Sequence, residues 1–326
     1  MWMSRVQRPL RRLNIMHSAP HSTASISNDN HFYYTLLSNR NLIAVKGPDA
    51  TKLLHSLVTA DMNVHQTGAQ YSMMLNAQGR VLYDVIIYSK GGDGHLLECD
   101  AMVIDDCVQH LKKYSLRAKV EISKAEDVKL WSLYRPLGGG ELTPQFLRSI
   151  ACDAICCDFD PRVKALGLRV GTTLGTEVAA IWAPLQPGSL EQYHQHRLKT
   201  GVPEGVAELV PGVCFPLEFN LDYMNGVSFH KGCYLGQELT ARTHHTGVVR
   251  KRVVPIEVAP PIKQPIPWGV PIATKEGKPA GKLICCQGNV GLGLLRLEVL
   301  NEDLCTTIPT GTHAVTAHIP SWWPAA

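Results

Sequence analysis

The sequence predicts an α+β protein that ends in a small all-β domain. Three observations carry this. At 326 residues the chain is long enough for two or three domains, each with its own core. Its composition, 45% hydrophobic and 18% charged, is globular rather than disordered or fibrous. Its strand-like runs are joined as hairpins instead of alternating strictly with helices, which argues against a doubly wound parallel sheet.

Residues 41–45 form a short apolar run and are predicted as a strand. Gly47-Pro48-Asp49 then opens a helix, with Pro48 near its first position and Leu53, Leu54, Leu57 and Val58 on its apolar face. Strands follow at 71–75 and 81–88, joined by the turn at Gln78-Gly79, and another after Gly94 through Leu96, Leu97 and Cys99. A helix is expected over 102–114 and short strands over 120–122 and 129–133. Gly138-Gly139-Gly140 marks a break. Beyond it come a short helix at 145–150, strands at 155–159, 168–170 and 177–182, and a helix over 189–199 capped by Ser189. After Arg252 the pattern changes to strands alone, at 253–258, 270–273, 282–286, 292–300 and 313–318, which is the signature of a small barrel. Gly288, Gly291 and Gly293 lie among these strands with no helix following, so they are turn glycines rather than a dinucleotide fingerprint. The expected organisation is a leader over 1–28, an α+β region of two modules over 29–252, and a barrel over 253–326.

The formal charge of +4 resides in the leader. Residues 1–28 hold Arg5, Arg8, Arg11 and Arg12, a Ser/Thr-rich stretch at Ser18, Ser22, Thr23, Ser25 and Ser27, and no acid, the composition of a mitochondrial transit peptide addressed to the matrix. The remaining chain carries 28 basic and 28 acidic residues, so no basic stripe argues for nucleic acid. No apolar run reaches the roughly 18–20 residues of a spanning helix. Ten cysteines without a secretory signal read as reduced thiols, mostly small buried apolar side chains. No C-x2-C pair supports a zinc site, and Cys152, Cys156 and Cys157 sit beside Ile155 and Phe159 in what reads as a buried strand.

The chemistry concentrates in Lys231-Gly232-Cys233-Tyr234-Leu235-Gly236-Gln237-Glu238. Two glycines bracket the cysteine and tyrosine, and a helix is expected from Gln237 through Arg242. Cys233 then lies just ahead of a helix N-terminus, with His230 and Lys231 adding positive charge and His244 and His245 following the helix. That setting suits a nucleophile, a redox thiol or a metal–sulfur ligand. A buried small residue in a tight turn fits the spacing equally.

This segment resembles the signature of the YgfZ-type proteins, folate-binding relatives of the glycine-cleavage T-protein. Leu75-Asn76-Ala77-Gln78-Gly79-Arg80 resembles the family's hairpin, Arg197, Gly201, Pro203 and Glu204 its helix and turn, and Pro216-Leu217-Glu218 its folate-pocket element. The similarity covers roughly residues 31–300. The resemblance implies two intertwined α+β modules around a central channel, plus a C-terminal β-barrel. With the leader, it implies late mitochondrial [4Fe–4S] cluster assembly alongside A-type iron–sulfur carriers, for clients such as aconitase and lipoate synthase. Cys233 would act on a transient shared cluster, and Asp84, Glu218, Arg242 and Tyr83 would face a tetrahydrofolate-type ligand. T-protein carries an Asp pair where this chain has Tyr83-Asp84; a phenol cannot replace that charge, which argues against aminomethyl transfer. A folate-dependent one-carbon transferase remains the competing reading. A pure scaffold is a third, and it requires an inaccessible Cys233.

Overall fold

The computed structural model describes residues 32–64, 67–90, 94–136, 154–183 and 185–324. The leader, the break at 138–140, the helix expected over 145–150 and Cys152 lie outside the described residues.

The first sheet contains β2 (Arg40–Lys46), β3 (Thr67–Leu75), β4 (Val81–Lys90), β5 (Gly94–Asp100) and β6 (Glu121–Lys124), ordered β3-β4-β5-β2-β6. Period-two alternation gives it two apolar faces. Ile43, Val45, Val85, Ile87 and Leu97 pack under helices α1 (Ala50–Leu57) and α2 (Ile104–Ser115). Leu42, Ala44, Ile86, Tyr88 and Leu96 point the other way, into the main core. The second sheet, ordered β10-β1-β7-β9-β8, is built from β1 (Tyr33–Leu36), β7 (Val128–Tyr134), β8 (Cys156–Phe159), β9 (Leu168–Thr173) and β10 (Gln186–Pro187). Because β1 joins this sheet while β2–β6 form the other, the two modules intertwine.

Helix α4 (Leu190–Thr200) starts at Ser189, as expected. The Ser189 hydroxyl accepts from the Gln192 amide, and the Gln192 side chain accepts from the Ser189 amide, closing a capping box. The strand expected over 177–182 is instead a single helical turn, α3 (Val178–Ile181). One turn puts Val178 and Trp182 on the same side, and both are buried against Leu133, Leu168 and Val170. Strand β8 is also less buried than its sequence suggests: it lies at a sheet edge, and Phe159 is 43% exposed.

Strands β11 (Lys251–Ile262), β12 (Val270–Thr274), β13 (Pro279–Arg296), β14 (Leu304–Ile308) and β15 (Gly311–Ala317) close the barrel. The runs expected at 282–286 and 292–300 are the two arms of β13. This segment folds back at Gly288 (φ +67°), bringing Gly291 against the Cys285 backbone and Gly281 against that of Leu294 and Leu295. The second arm ends at Arg296, and β14 had no counterpart among the expected strands.

Candidate functional site

The motif segment docks on the C-terminal end of α1. The Leu235 amide donates to the Ser56 carbonyl at 3.0 Å, and the Ser228 amide to the Thr59 carbonyl at 3.0 Å. Helix ends leave such carbonyls without intrahelical partners, so the motif satisfies groups that α1 cannot. Tyr234 is buried, which pushes its phenol up to about 12, and its amide donates to Gln237 Oε1 at 3.3 Å. Helix α5 (Gln237–Thr246) then begins, with Gly236 as its N-cap at φ +79° and Glu238 exposed in the first turn. His244 and His245 belong to its last turn instead of following it. His244 stacks on Phe229 with ring centroids 3.5 Å apart.

Cys233 is the exposed cysteine among the described residues; Cys99, Cys107, Cys156 and Cys214 are buried and the rest half-buried. A pure scaffold with an inaccessible thiol does not match this placement. Lys231 also departs from expectation. Its ammonium turns inward to three carbonyls and is lowered to about 8 by burial, with Asp61 opposing. Its charge is therefore directed at the end of α1.

Gly79 and Gly236 explain each other. The hairpin turn is closed by Asn76, whose side-chain oxygen accepts from the Gln78 and Arg80 amides at 3.0 and 2.9 Å. A Cβ on Gly236 would meet the Asn76 carbonyl, and one on Gly79 would lie 3.0 Å from the Gly236 carbonyl. The turn and the motif therefore pack backbone to backbone, which only glycine allows.

Beside this contact lies a pocket of ≈ 330 Å³. Its walls include Phe215, Glu218, Leu239, Thr240, Arg250 and Lys251. Burial pushes the Glu218 carboxyl up, against the pull of Lys251, Arg80 and Lys282. Thr240 also lines the pocket, and its buried hydroxyl has no hydrogen-bond partner. An acceptor and cations around an apolar wall suit a flat N–H-bearing ligand with an anionic end.

Of the four residues expected to face tetrahydrofolate, only Glu218 lines this pocket. Arg242 is exposed on α5. Tyr83 lies on the helix-covered face of β4, edge-on to His110 at 5.9 Å, and burial pushes it up to about 12. Asp84 lies on the opposite face, 2% exposed, as neighbours on a strand must. The two side chains are therefore not a pair.

Asp84 belongs to a buried ionic lattice between the sheets. Its carboxylate meets Arg40 at 3.1 Å and accepts from the Gly205 amide at 3.2 Å. Arg40 also reaches Glu98 at 3.0 Å. Arg169 binds Glu98 at 2.8 Å, Asp160 at 3.0 Å, Glu204 at 2.6 Å and the Tyr193 hydroxyl at 2.6 Å. Arg162 completes the set on Asp160 and Glu204. These arginines hold Asp160 and Glu204 below the usual carboxylate range despite burial. Sequence reasoning missed Arg40, Glu98, Asp160, Arg162 and Arg169. The available signal was a lone charge inside an apolar run, as in Leu168-Arg169-Val170 and Leu97-Glu98-Cys99.

Comparison with known proteins follows the same outline. Residues 37–131 match the GCVT N-terminal domain, and residues 250–325 match the CAF17 C-terminal β-barrel domain. The chain is 39% identical over 307 residues to the mouse (Mus musculus) protein named "Iron-sulfur cluster assembly factor IBA57, mitochondrial", covering 89% of this chain and 85% of that protein. The human (Homo sapiens) protein of the same name is 40% identical over 303 residues, covering 88% and 84%. The chain belongs to the IBA57 family. Its fold is that of the T-protein: the glycine cleavage system aminomethyltransferase T from Bartonella henselae superposes with a TM-score of 0.71, covering 90% of this chain and 86% of that one, at 17% identity. Among the described residues, no helix is long and apolar enough to cross a membrane.

Proposed function

We propose that this member of the IBA57 family is a mitochondrial iron–sulfur cluster assembly factor. It acts in the matrix at the [4Fe–4S] stage, with A-type carriers as partners and aconitase and lipoate synthase as the class of client. Its relatives' names support the general role. The observation that carries the finer reading is Cys233, an exposed thiol in a loop pinned to the end of α1. Iron–sulfur clusters are held by cysteine thiolates, commonly four of them. Among the described residues no group of three or more His, Cys, Asp or Glu is placed to hold a metal ion. One accessible thiolate can take up a coordination position on a cluster whose other ligands belong to a carrier, and release it again.

Tetrahydrofolate is proposed for the pocket beside Glu218, where it would supply a one-carbon carrier. Glu218 would accept from the pterin N–H groups, and Arg250 and Lys251 would face the glutamate tail.

The test is anaerobic mixing of the mature protein with an A-type carrier, iron and sulfide, read by absorption and electron paramagnetic resonance. The native protein should form a mixed complex with a cluster and activate apo-aconitase; Cys233→Ala should do neither while keeping its melting temperature. Normal aconitase activation by Cys233→Ala would refute the role. For the pocket, tetrahydrofolate titration should saturate with the native protein and weaken about tenfold or more with Glu218→Gln, the size of one lost charged hydrogen bond.

A further inference from the structure

Lys231 stands two residues from Cys233, yet its side chain runs away from the loop surface. Its Nζ donates to the carbonyls of His55 at 2.6 Å, Val58 at 2.8 Å and Ala60 at 2.7 Å. An ammonium has three donors and no acceptor, so this tripod uses it completely. His55 lies in the last turn of α1, Val58 is its C-cap and Ala60 follows, so the cation also meets the negative end of the helix. Lys231 further lies over the Tyr234 ring at 4.9 Å.

The backbone at Leu235 is tied to Ser56 on the same helix end. Cys233 is therefore the midpoint of a five-residue span whose two ends are both fixed to α1. Gly232, inside the span, has open space where a side chain would be. We propose that Lys231 is the positioning residue for Cys233: its tripod on the end of α1 pins one end of the loop, Leu235 pins the other, and the thiol between them is held outward. The inference rests on the reading of Cys233 as the working thiol. The anchor itself is tested without that reading.

The experiment compares the mature chain with Lys231→Met and Lys231→Arg. Methionine keeps the apolar stem and removes the donors. Arginine keeps the charge, but its planar fork cannot aim three donors at three converging carbonyls. In both variants the Ser228 and Leu235 amides should exchange with deuterium about tenfold faster or more, the equivalent of one lost charged hydrogen bond. The Ile43 and Ile256 amides, in the cores of the first sheet and the barrel, should be unchanged. Cluster delivery to apo-aconitase, per folded molecule, should fall by a similar factor. A purely structural lysine would instead speed exchange throughout the core and leave delivery per folded molecule intact, and that result overturns the proposal. Restoration of both loop protection and delivery by arginine also overturns it, because charge alone would then suffice. If Lys231→Met does not fold, Lys231→Arg supplies the same readouts. If Cys233→Ala delivers clusters normally, the reading of the thiol fails, while amide exchange still decides the anchor.

Discussion

Replacing Arg169 by methionine removes the hub of the ionic lattice while keeping most of its volume. Arg169, Arg40 and Arg162 face Asp84, Glu98, Asp160 and Glu204, and all seven side chains are at most 1% exposed. Three cations already face four acids, so losing one leaves two carboxylates unbalanced away from water. Breaking a buried ionic network at one partner costs about 3–5 kcal/mol. At roughly 2 °C per kcal/mol for a protein of this size, the melting temperature should fall by about 6–10 °C. The sign of the electrostatics is checked by a second substitution. Glu98→Gln should destabilise the native chain, where Glu98 accepts from Arg40, Arg169 and Tyr88. In the Arg169→Met background it should recover about 1–3 kcal/mol, because it removes a charge that has lost a partner. Urea unfolding followed by circular dichroism on the four proteins measures the cycle. The reasoning is refuted if Arg169→Met costs less than about 1 kcal/mol, or if Glu98→Gln is equally harmful in both backgrounds.

Two further substitutions probe the close packing at the motif and the pH dependence of stability. Gly236→Ala forces a side chain into a left-handed position against the Asn76 carbonyl, so it should cost about 2 kcal/mol or more; a change in unfolding midpoint equivalent to less than about 0.5 kcal/mol would remove the close approach as the reason for glycine. Asp158 is pushed by burial from 3.8 to about 6, with the Ala69 amide opposing. Its folded form holds a proton that the unfolded form has released, so stability falls as pH rises through that window and stays lower above it. Asp158→Asn should therefore be more stable than the parent by about 1–2 kcal/mol at pH 7.5, discounted for partial exposure, and indistinguishable near pH 4. An Asn-over-Asp advantage that does not grow between those pH values would contradict the burial argument.

Much of the architecture was legible because the code that sets it is local. The strands expected over 71–75 and 81–88, with their turn at Gln78-Gly79, are found as β3 and β4. Ser189 announced the start of α4, and the helix expected from Gln237 is α5. The helical turn at Val178–Ile181 was not legible, since an Ala-Ala step between apolar residues fits a strand or a helix, and packing beneath Trp182 chose the helix. In the candidate site, the Cys233 segment stood out by its glycines and neighbours, but its exposure did not follow from them. Nor did the direction of Lys231, whose partners lie in the turn after α1.

The sequence by itself determined the apolar face of α1, where α1, α4 and α5 begin, that the last part of the chain is a barrel, and which cysteine to watch. Periodicity, caps and turn glycines are properties of neighbours a few positions apart. Only the tertiary structure decided what the charged residues do. Arg40, Asp84, Glu98, Arg169 and Glu204 come from both sheets and a connecting loop, and whether a buried charge is neutralised depends on partners that chain folding brings from far away. The same holds at the motif: Lys231 reads as a cation beside a thiol until α1 presents three carbonyls to it, and then it becomes the pin that leaves Cys233 facing solvent.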